Sequence, residues 1–169
     1  MLPPTPCFRG LKKAEELPSL ETTLVAPEPD DVLELDELRS FVRFRKNKRW
    51  VWLAQCRRTR QIVAYAIGGR GQKECRLLWR RIPKAYKKCL LYTDFWRAYA
   101  KVLPANQHRA TGKGEGQTCH VERFNNSLRQ RLGRFVRKTL SFSKTDQMHE
   151  VCLRLFLHEH NQCCRDNLN

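Results

Sequence analysis

No C-x-x-C pair occurs in the 169 residues, although the chain holds eight cysteines, at positions 7, 56, 75, 89, 119, 152, 163 and 164. Neither a zinc ribbon nor a thioredoxin-like motif is therefore indicated. A basic n-region followed by an apolar core is also missing from the N-terminus, so no signal peptide is read there. A reducing cytosol is the simpler compartment, with most thiols acting as small apolar side chains. No long apolar run is present, which argues against a membrane span. Acidic residues are scarce after position 38. Residues 39–169 hold 30 Lys/Arg against 8 Asp/Glu, a balance of +22, whereas residues 1–38 hold 3 against 9, a balance of −6. A body this basic attracts polyanions, of which nucleic acid is the commonest soluble one.

Proline is unevenly spread. Six of the eight fall within residues 1–30, together with an acidic bias and little periodicity. That stretch reads as a disordered or linker-like arm. A single domain over 31–162 and a short tail over 163–169 complete the expected organisation.

From Asp31 the texture changes. VLELDEL alternates apolar and polar residues as a half-buried strand does. WVWLAQCR and QIVAYAIGG follow at short spacing, so three strands form an antiparallel meander. Cys75, Leu78, Trp79 and Ile82 then fall on one helical face that Pro83 ends. KKCLLYTD reads as a short buried strand, parallel to its neighbour because a helix precedes it. FWRAYAKVL is a short helix closed by Pro104, and QHRATGKGEGQT is a polar loop with one possible strand at its start. Two helices end the chain. The first places Val121, Phe124, Leu128, Leu132 and Phe135 on one face; the second starts near Thr145 or Asp146 and buries Met148, Val151, Cys152, Leu155 and Phe156. This order predicts an α/β fold with a mixed sheet.

Three acids stand out in the basic background: Asp36 in VLELDEL, Asp94 at the end of an apolar strand, and Glu122 opening a helix. Breaking or joining a phosphodiester requires charge stabilisation at both the attacking and leaving oxygens. Two Mg²⁺ ions about 3.5–4 Å apart supply it and need shared, hard oxygen ligands. Asp94 also fits as a helix N-cap, and Glu122 as a first-turn residue complementing the helix dipole. Glu34 and Glu37 rival Asp36, and alternation puts Glu34 on the same face as Asp36.

These motifs carry a resemblance. VERFNNSLRQRLGRFVRKTLSFSK, preceded by LLYTDFWRAY and VLELDELRSFV, resembles the catalytic half of insertion sequence one family transposases over roughly residues 31–160. The resemblance implies a ribonuclease-H-like fold and a DDE site of Asp36, Asp94 and Glu122 holding two Mg²⁺ or Mn²⁺ ions. It implies hydrolysis at element ends followed by transfer of the freed 3′-hydroxyl into target DNA. Arg123, Asn126, Arg129, Arg131 and Arg134, with Arg137, Lys138 and Lys144 beyond them, are expected to contact DNA backbone. A homo-oligomer on DNA, an upstream DNA-reading module from a separate frame, and a cytoplasmic, nucleoid-associated protein in a bacterial cell are further expectations.

Two other functions fit the residues: a ribonuclease-H-like endonuclease without strand transfer, and a non-catalytic basic nucleic-acid-binding protein. The cluster His158, His160, Cys163 and Cys164, with His149 and Cys152 earlier on the helix, has zinc-ligand chemistry at a spacing that fits no finger. His149 and Asn161 are alternatively expected to face the active site. The tryptophans are expected mostly in the core.

Overall fold

Alternation along Val32–Phe41 (β1) sends Leu33, Leu35 and Glu37 to one face of the sheet and Glu34, Asp36 and Leu38 to the other. The computed structural model describes residues 16–112, 114–135 and 141–168. Lys48–Cys56 (β2) and Ile62–Gly68 (β3) continue the expected meander, each antiparallel to its predecessor. Gln72–Arg81 (α1) then crosses one face and stops short of Pro83. Leu90–Thr93 (β4) returns parallel to β1. Arg97–Val102 (α2) leads to His108–Ala110 (β5), parallel to β4. The sheet order is β3-β2-β1-β4-β5. Cys119–Arg131 (α3) and Asp146–Asp166 (α4) complete a ribonuclease-H-like α/β arrangement.

Each face of the sheet buries its own core. Under α1 and α2 lie Leu33, Leu35, Trp52, Ala64, Leu78 and Tyr99. Trp52 meets Tyr99 edge-on with ring centroids 5.4 Å apart. Under α3 and α4 lie Leu38, Val51, Leu53, Val121, Phe124, Leu128, Leu153 and Leu157. Of the four tryptophans only Trp52 is fully buried; Trp50, Trp79 and Trp96 pack half-buried at the edge of the first core.

The start of α3 is fixed by a buried acid. Glu34 has no solvent exposure, and its Oε2 accepts from the backbone N–H groups of His120 (2.9 Å) and Val121 (3.1 Å). Its Oε1 accepts from Arg57 Nε at 2.8 Å. A carboxylate at a helix N-terminus satisfies otherwise orphaned donors and complements the helix dipole. Arg57 also donates to the Gln117 carbonyl at 2.7 Å, tying the approach to α3 to the end of β2.

Four expectations are revised. Residues 16–30, expected within the arm, lie on the body: Leu20–Thr23 forms a 3-10 turn, and Gln61 bridges Thr23 and Val25. Tyr86 donates to the Val25 carbonyl, at 2.5 Å. Proline-rich sequence concealed this because the segment is held by side chains reaching its backbone, which leave no periodicity. Residues 1–15 lie outside the described residues. On α4 the buried stripe is His149, Leu153, Leu157 and Asn161, with Val151 and His158, while Met148, Cys152, Leu155 and Phe156 are only half-buried. Apolar periodicity misses this phase because two of its members are polar. α3 ends at Arg131, so Phe135 enters the core from a separate 3-10 turn rather than from the helix face. The helix α4 runs on to Asp166, past residue 163 where a tail was expected.

Asn161 shows why a polar residue belongs in that stripe. Its Oδ1 accepts from Ile62 N–H at 2.7 Å, and its Nδ2 donates to Ile62 O at 3.0 Å and Thr23 Oγ1 at 2.9 Å. It therefore holds α4, β3 and the N-terminal segment together. Asn161→Ala leaves the buried Ile62 N–H and carbonyl without their Asn161 partner, removes a bond to Thr23 Oγ1, and should cost about 3 kcal/mol. For a chain of this size that corresponds to a fall in Tm on the order of 10 °C in thermal denaturation. An unchanged Tm would show that the bracket contributes nothing.

Candidate active site

The parallel register of β1 and β4 pairs Glu34 with Tyr92, and two residues further along each chain stand Asp36 and Asp94. Strand pairing alone thus brings these acids to one level. Carboxylate oxygens of Asp36, Glu37 and Asp94 all lie within 4.8 Å of one another. A cavity of about 490 Å³ opens over them, and Glu122, Asn126 and Arg129 of α3 line it too. Glu122, Asn125, Asn126 and Arg129 share a helix face because they are spaced at three, four and seven residues. The pinning of the first turn of α3 by Glu34 aims that face at Asp36.

Each acid has a distinct environment. Asn125 is 5% exposed and donates its Nδ2 to Asp36 Oδ2 at 2.7 Å. Burial pushes Asp36 up to about 7, the Glu37 charge adds to the rise, and hydrogen bonds from the Glu37 backbone and Asn125 oppose it. Asp94 Oδ1 accepts from Trp96 N–H at 2.9 Å while remaining at the cavity; the N-cap of α2 is Trp96, so Asp94 holds the turn before the helix and is not its cap. Glu122 is exposed and accepts from Thr118 Oγ1 at 2.8 Å.

Glu37 is buried, and burial raises its pKa as well. It accepts from Arg70 Nε at 2.7 Å and from the Tyr99 hydroxyl at 2.8 Å. The Arg70 guanidinium lies 4.4 Å from the Trp50 ring centroid and 4.0 Å from that of Trp96. Flat between two indoles, it is fixed as the counter-charge to Glu37. The three acids of β1 differ in what faces each. Glu34 meets helix N–H groups and Arg57, Glu37 meets Arg70 and Tyr99, and Asp36 meets the Asn125 side chain and the Glu37 backbone.

The remaining residues expected at the site divide. Asn126 and Arg129 line the acid cavity. Arg123 and Arg131 line a different cavity across α3. Arg134 sits in the 3-10 turn after α3, and Lys144 is exposed just ahead of α4. Arg137 and Lys138 lie outside the described residues. His149 and Asn161 do not face the acids. His149 is buried, bonds Ser143 Oγ at 3.0 Å and stacks on Phe135, and Asn161 is the bracket described above. Both were misplaced because a polar residue on a late helix looks available for chemistry when its buried partners are unknown. His158 is buried, while His160 reaches the Arg60 carbonyl at 3.0 Å. Among the described residues Asp36, Glu37 and Asp94 are the one group of three or more potential ligands whose atoms lie within 4.8 Å of one another, and Glu122 lines the same cavity outside that group.

Sequence reasoning missed Asn125, Arg70, Tyr99 and Thr118. Asn125 was findable, one turn from Glu122 on the same face. Arg70 follows two glycines with no local signal, and only the folded sheet brings it to Glu37.

Comparison with known proteins accounts for this arrangement. The IS1 transposase family matches residues 32–162. Insertion element iso-IS1n protein InsB from Shigella dysenteriae is 34% identical over 129 residues, covering 76% of this chain and 95% of the relative. Insertion element IS1 4 protein InsB from Escherichia coli K12 is 29% identical over 154 residues, covering 90% and 87%. Insertion element IS1 protein InsB from Shigella flexneri is 32% identical over 124 residues, covering 73% and 92%. The chain belongs to the IS1 transposase family.

Proposed function

We propose that this transposase acts as a DDE enzyme, with Asp36, Asp94 and Glu122 as its catalytic and metal-holding acids. The observation that carries the proposal is that a strand interior, a strand end and a helix bring Asp36, Asp94 and Glu122 to a single cavity, with Glu37 beside them. The donor set suits Mg²⁺ or Mn²⁺, being all hard oxygen. Asp36 and Asp94, with Glu37 beside them, crowd negative charge that Arg70 neutralises only at Glu37. Divalent ions bound there would supply Lewis-acid charge for phosphodiester chemistry.

The chain's own residues account for the rest. Asn125 orients Asp36, Thr118 orients Glu122, and the Trp96 N–H orients Asp94. Arg39 and Arg129 line the same cavity and bring cationic side chains to the DNA backbone. In the first step water forms a bond to phosphorus at the element end, and the bond to the 3′ oxygen breaks, freeing a 3′-hydroxyl. In the second, that hydroxyl attacks a target phosphate and displaces its 3′ oxygen. Both steps proceed without a covalent protein intermediate. DNA is thus substrate and partner, and residues outside the acid cavity, Arg123, Arg131, Arg134, Arg137, Lys138 and Lys144, extend the cationic track. A homo-oligomer on DNA and an upstream DNA-reading module belong to the same proposal.

Asp36→Ala, Asp94→Ala and Glu122→Ala should each lower metal-dependent strand transfer by at least 100–1000-fold, roughly the cost of removing one group that stabilises transition-state charge. The assay joins a linear element end to plasmid target, with DNA binding measured alongside. Cleavage without joining would favour the endonuclease alternative. Full activity in any of the three variants would refute the assignment of that acid.

The acid crowding also predicts a pH dependence. With its folded pKa near 7 against an ordinary 3.8, Asp36 holds a proton in the native state that the unfolded chain has released. Its contribution to stability is therefore present below about 4 and lost as pH rises through about 7. Metal-free Asp36→Asn should melt higher than the wild type at pH 8, and the gap should close toward pH 5. Because an ion competes with that proton, the rise in wild-type Tm caused by Mn²⁺ should grow between pH 6 and 8. A pH-independent Mn²⁺ effect would contradict this.

A further inference from the structure

Two arginine-bearing stripes run along α3. The stripe of Glu122, Asn126 and Arg129 lines the acid cavity, and that of Arg123, Ser127 and Arg131 lines a second cavity of about 310 Å³. A one-residue offset on an α-helix is a rotation of about 100°, so the stripes open on either flank of the same helix. Across the second cavity stand Arg60, from the turn between β2 and β3, and Phe156 and His160 of α4.

The charge in this second cavity has no counterpart. Arg49, Arg57, Arg58 and Arg70 each hold a carboxylate at ion-pair distance. Arg60, Arg123 and Arg131 are exposed, and no carboxylate of the described residues pairs with any of them. No acid lines the cavity; Glu34 lies 4.0 Å from His120 at its rim but is already bound to Arg57, and Glu159 lines a neighbouring depression with Arg131. His120 and His160 both lie below the ordinary histidine value, through burial first and nearby arginines second, so the cationic charge here is that of the arginines. Phe124 and His160 meet at 4.6 Å between centroids and form an aromatic wall with Phe156. Three unpaired guanidinium groups around an aromatic wall fit one nucleotide of a DNA strand, with its phosphate on the arginines and its sugar and base against the rings.

We propose that this cavity is a second DNA-strand subsite, in which Arg60, Arg123 and Arg131 grip a phosphate on the flank of α3 about 100° round from the one that faces the scissile phosphate. It rests on the functional reading above and adds a register to it. Stripes about 100° apart on a helix up to about 12 Å across lie roughly 9 Å from each other, and successive nucleotides of one strand advance about 3.4 Å along the duplex axis. A strand crossing α3 therefore reaches the second cavity about three nucleotides from the bond at the acids. The grip sets where along the strand the acids act.

The test uses the full chain and an element-end duplex in which single linkages are replaced, one at a time, by uncharged methylphosphonates. Binding is measured without metal for the wild type and for the Arg60→Gln/Arg123→Gln/Arg131→Gln variant, whose folding is checked by its Tm. All three residues are exposed, so an unchanged Tm is expected. Wild-type affinity should fall about tenfold when a linkage about three nucleotides from the cleaved bond is neutralised, and the variant should show no such fall. The slope of log affinity against log salt should be shallower in the variant by about 1 for the one phosphate released. Equal sensitivity of both proteins at every linkage, or an identical salt slope, would overturn the proposal. So would inorganic phosphate raising the wild-type Tm but not the variant's while the DNA salt slopes agree, since the cavity would then take a free anion. Because binding is read without metal, absent cleavage in the wild type would sink the functional reading and leave this comparison intact.

Discussion

A single buried carboxylate, Glu34, decides where α3, the helix that carries Glu122, begins. With no exposure to water it would be costly unless fully bonded. Arg57 and the first N–H groups of α3 supply that bonding. One side chain of β1 thereby joins the end of β2 and the start of α3. Asp36 lies two residues along the same strand and Glu122 two residues beyond the N–H of His120, so their approach follows from this contact. The β1–β4 register supplies Asp94 independently. Two constraints, one polar and one from strand pairing, therefore assemble an acid site from segments 86 residues apart, the separation of Glu34 from His120.

The same economy governs charge. In a chain of net charge +16, Glu34, Asp31, Glu37 and Asp146 hold arginines at ion-pair distance, while Asp36 and Asp94 gather at the cavity. Arg70, held between Trp50 and Trp96, keeps Glu37 satisfied and leaves Asp36 and Asp94 as the crowded pair. Arg60, Arg123 and Arg131 are exposed, and among the described residues no carboxylate pairs with them. In the proposed function they meet the DNA backbone.

Much of this was readable from the sequence. Alternation in VLELDEL and the short apolar run before Asp94 gave the strands, and the spacing after Val121 gave the helix that carries Glu122. Periodicity could not rank Glu34, Asp36 and Glu37, because the face a residue points to says nothing of the donors waiting there. Nor could it foresee the buried stripe of α4, in which His149 and Asn161 take positions that apolar residues usually hold. Residues 16–30 were opaque for a related reason: Gln61, Tyr86 and Asn161 hold them through bonds that no local pattern records. Where burial follows hydrophobicity the chain is legible; where it follows long-range hydrogen bonds it is not.

The central claim is that Asp36, Asp94 and Glu122 surround one ion-binding locus. Loading the protein with Fe²⁺ in place of Mg²⁺ and generating hydroxyl radicals cuts the backbone beside the bound metal, and mass spectrometry maps the cuts. The account predicts three clusters of cuts, around residues 36, 94 and 122, all suppressed by excess Mg²⁺. Cuts confined to one of those segments, or centred on the histidines and cysteines of 158–164, would contradict it.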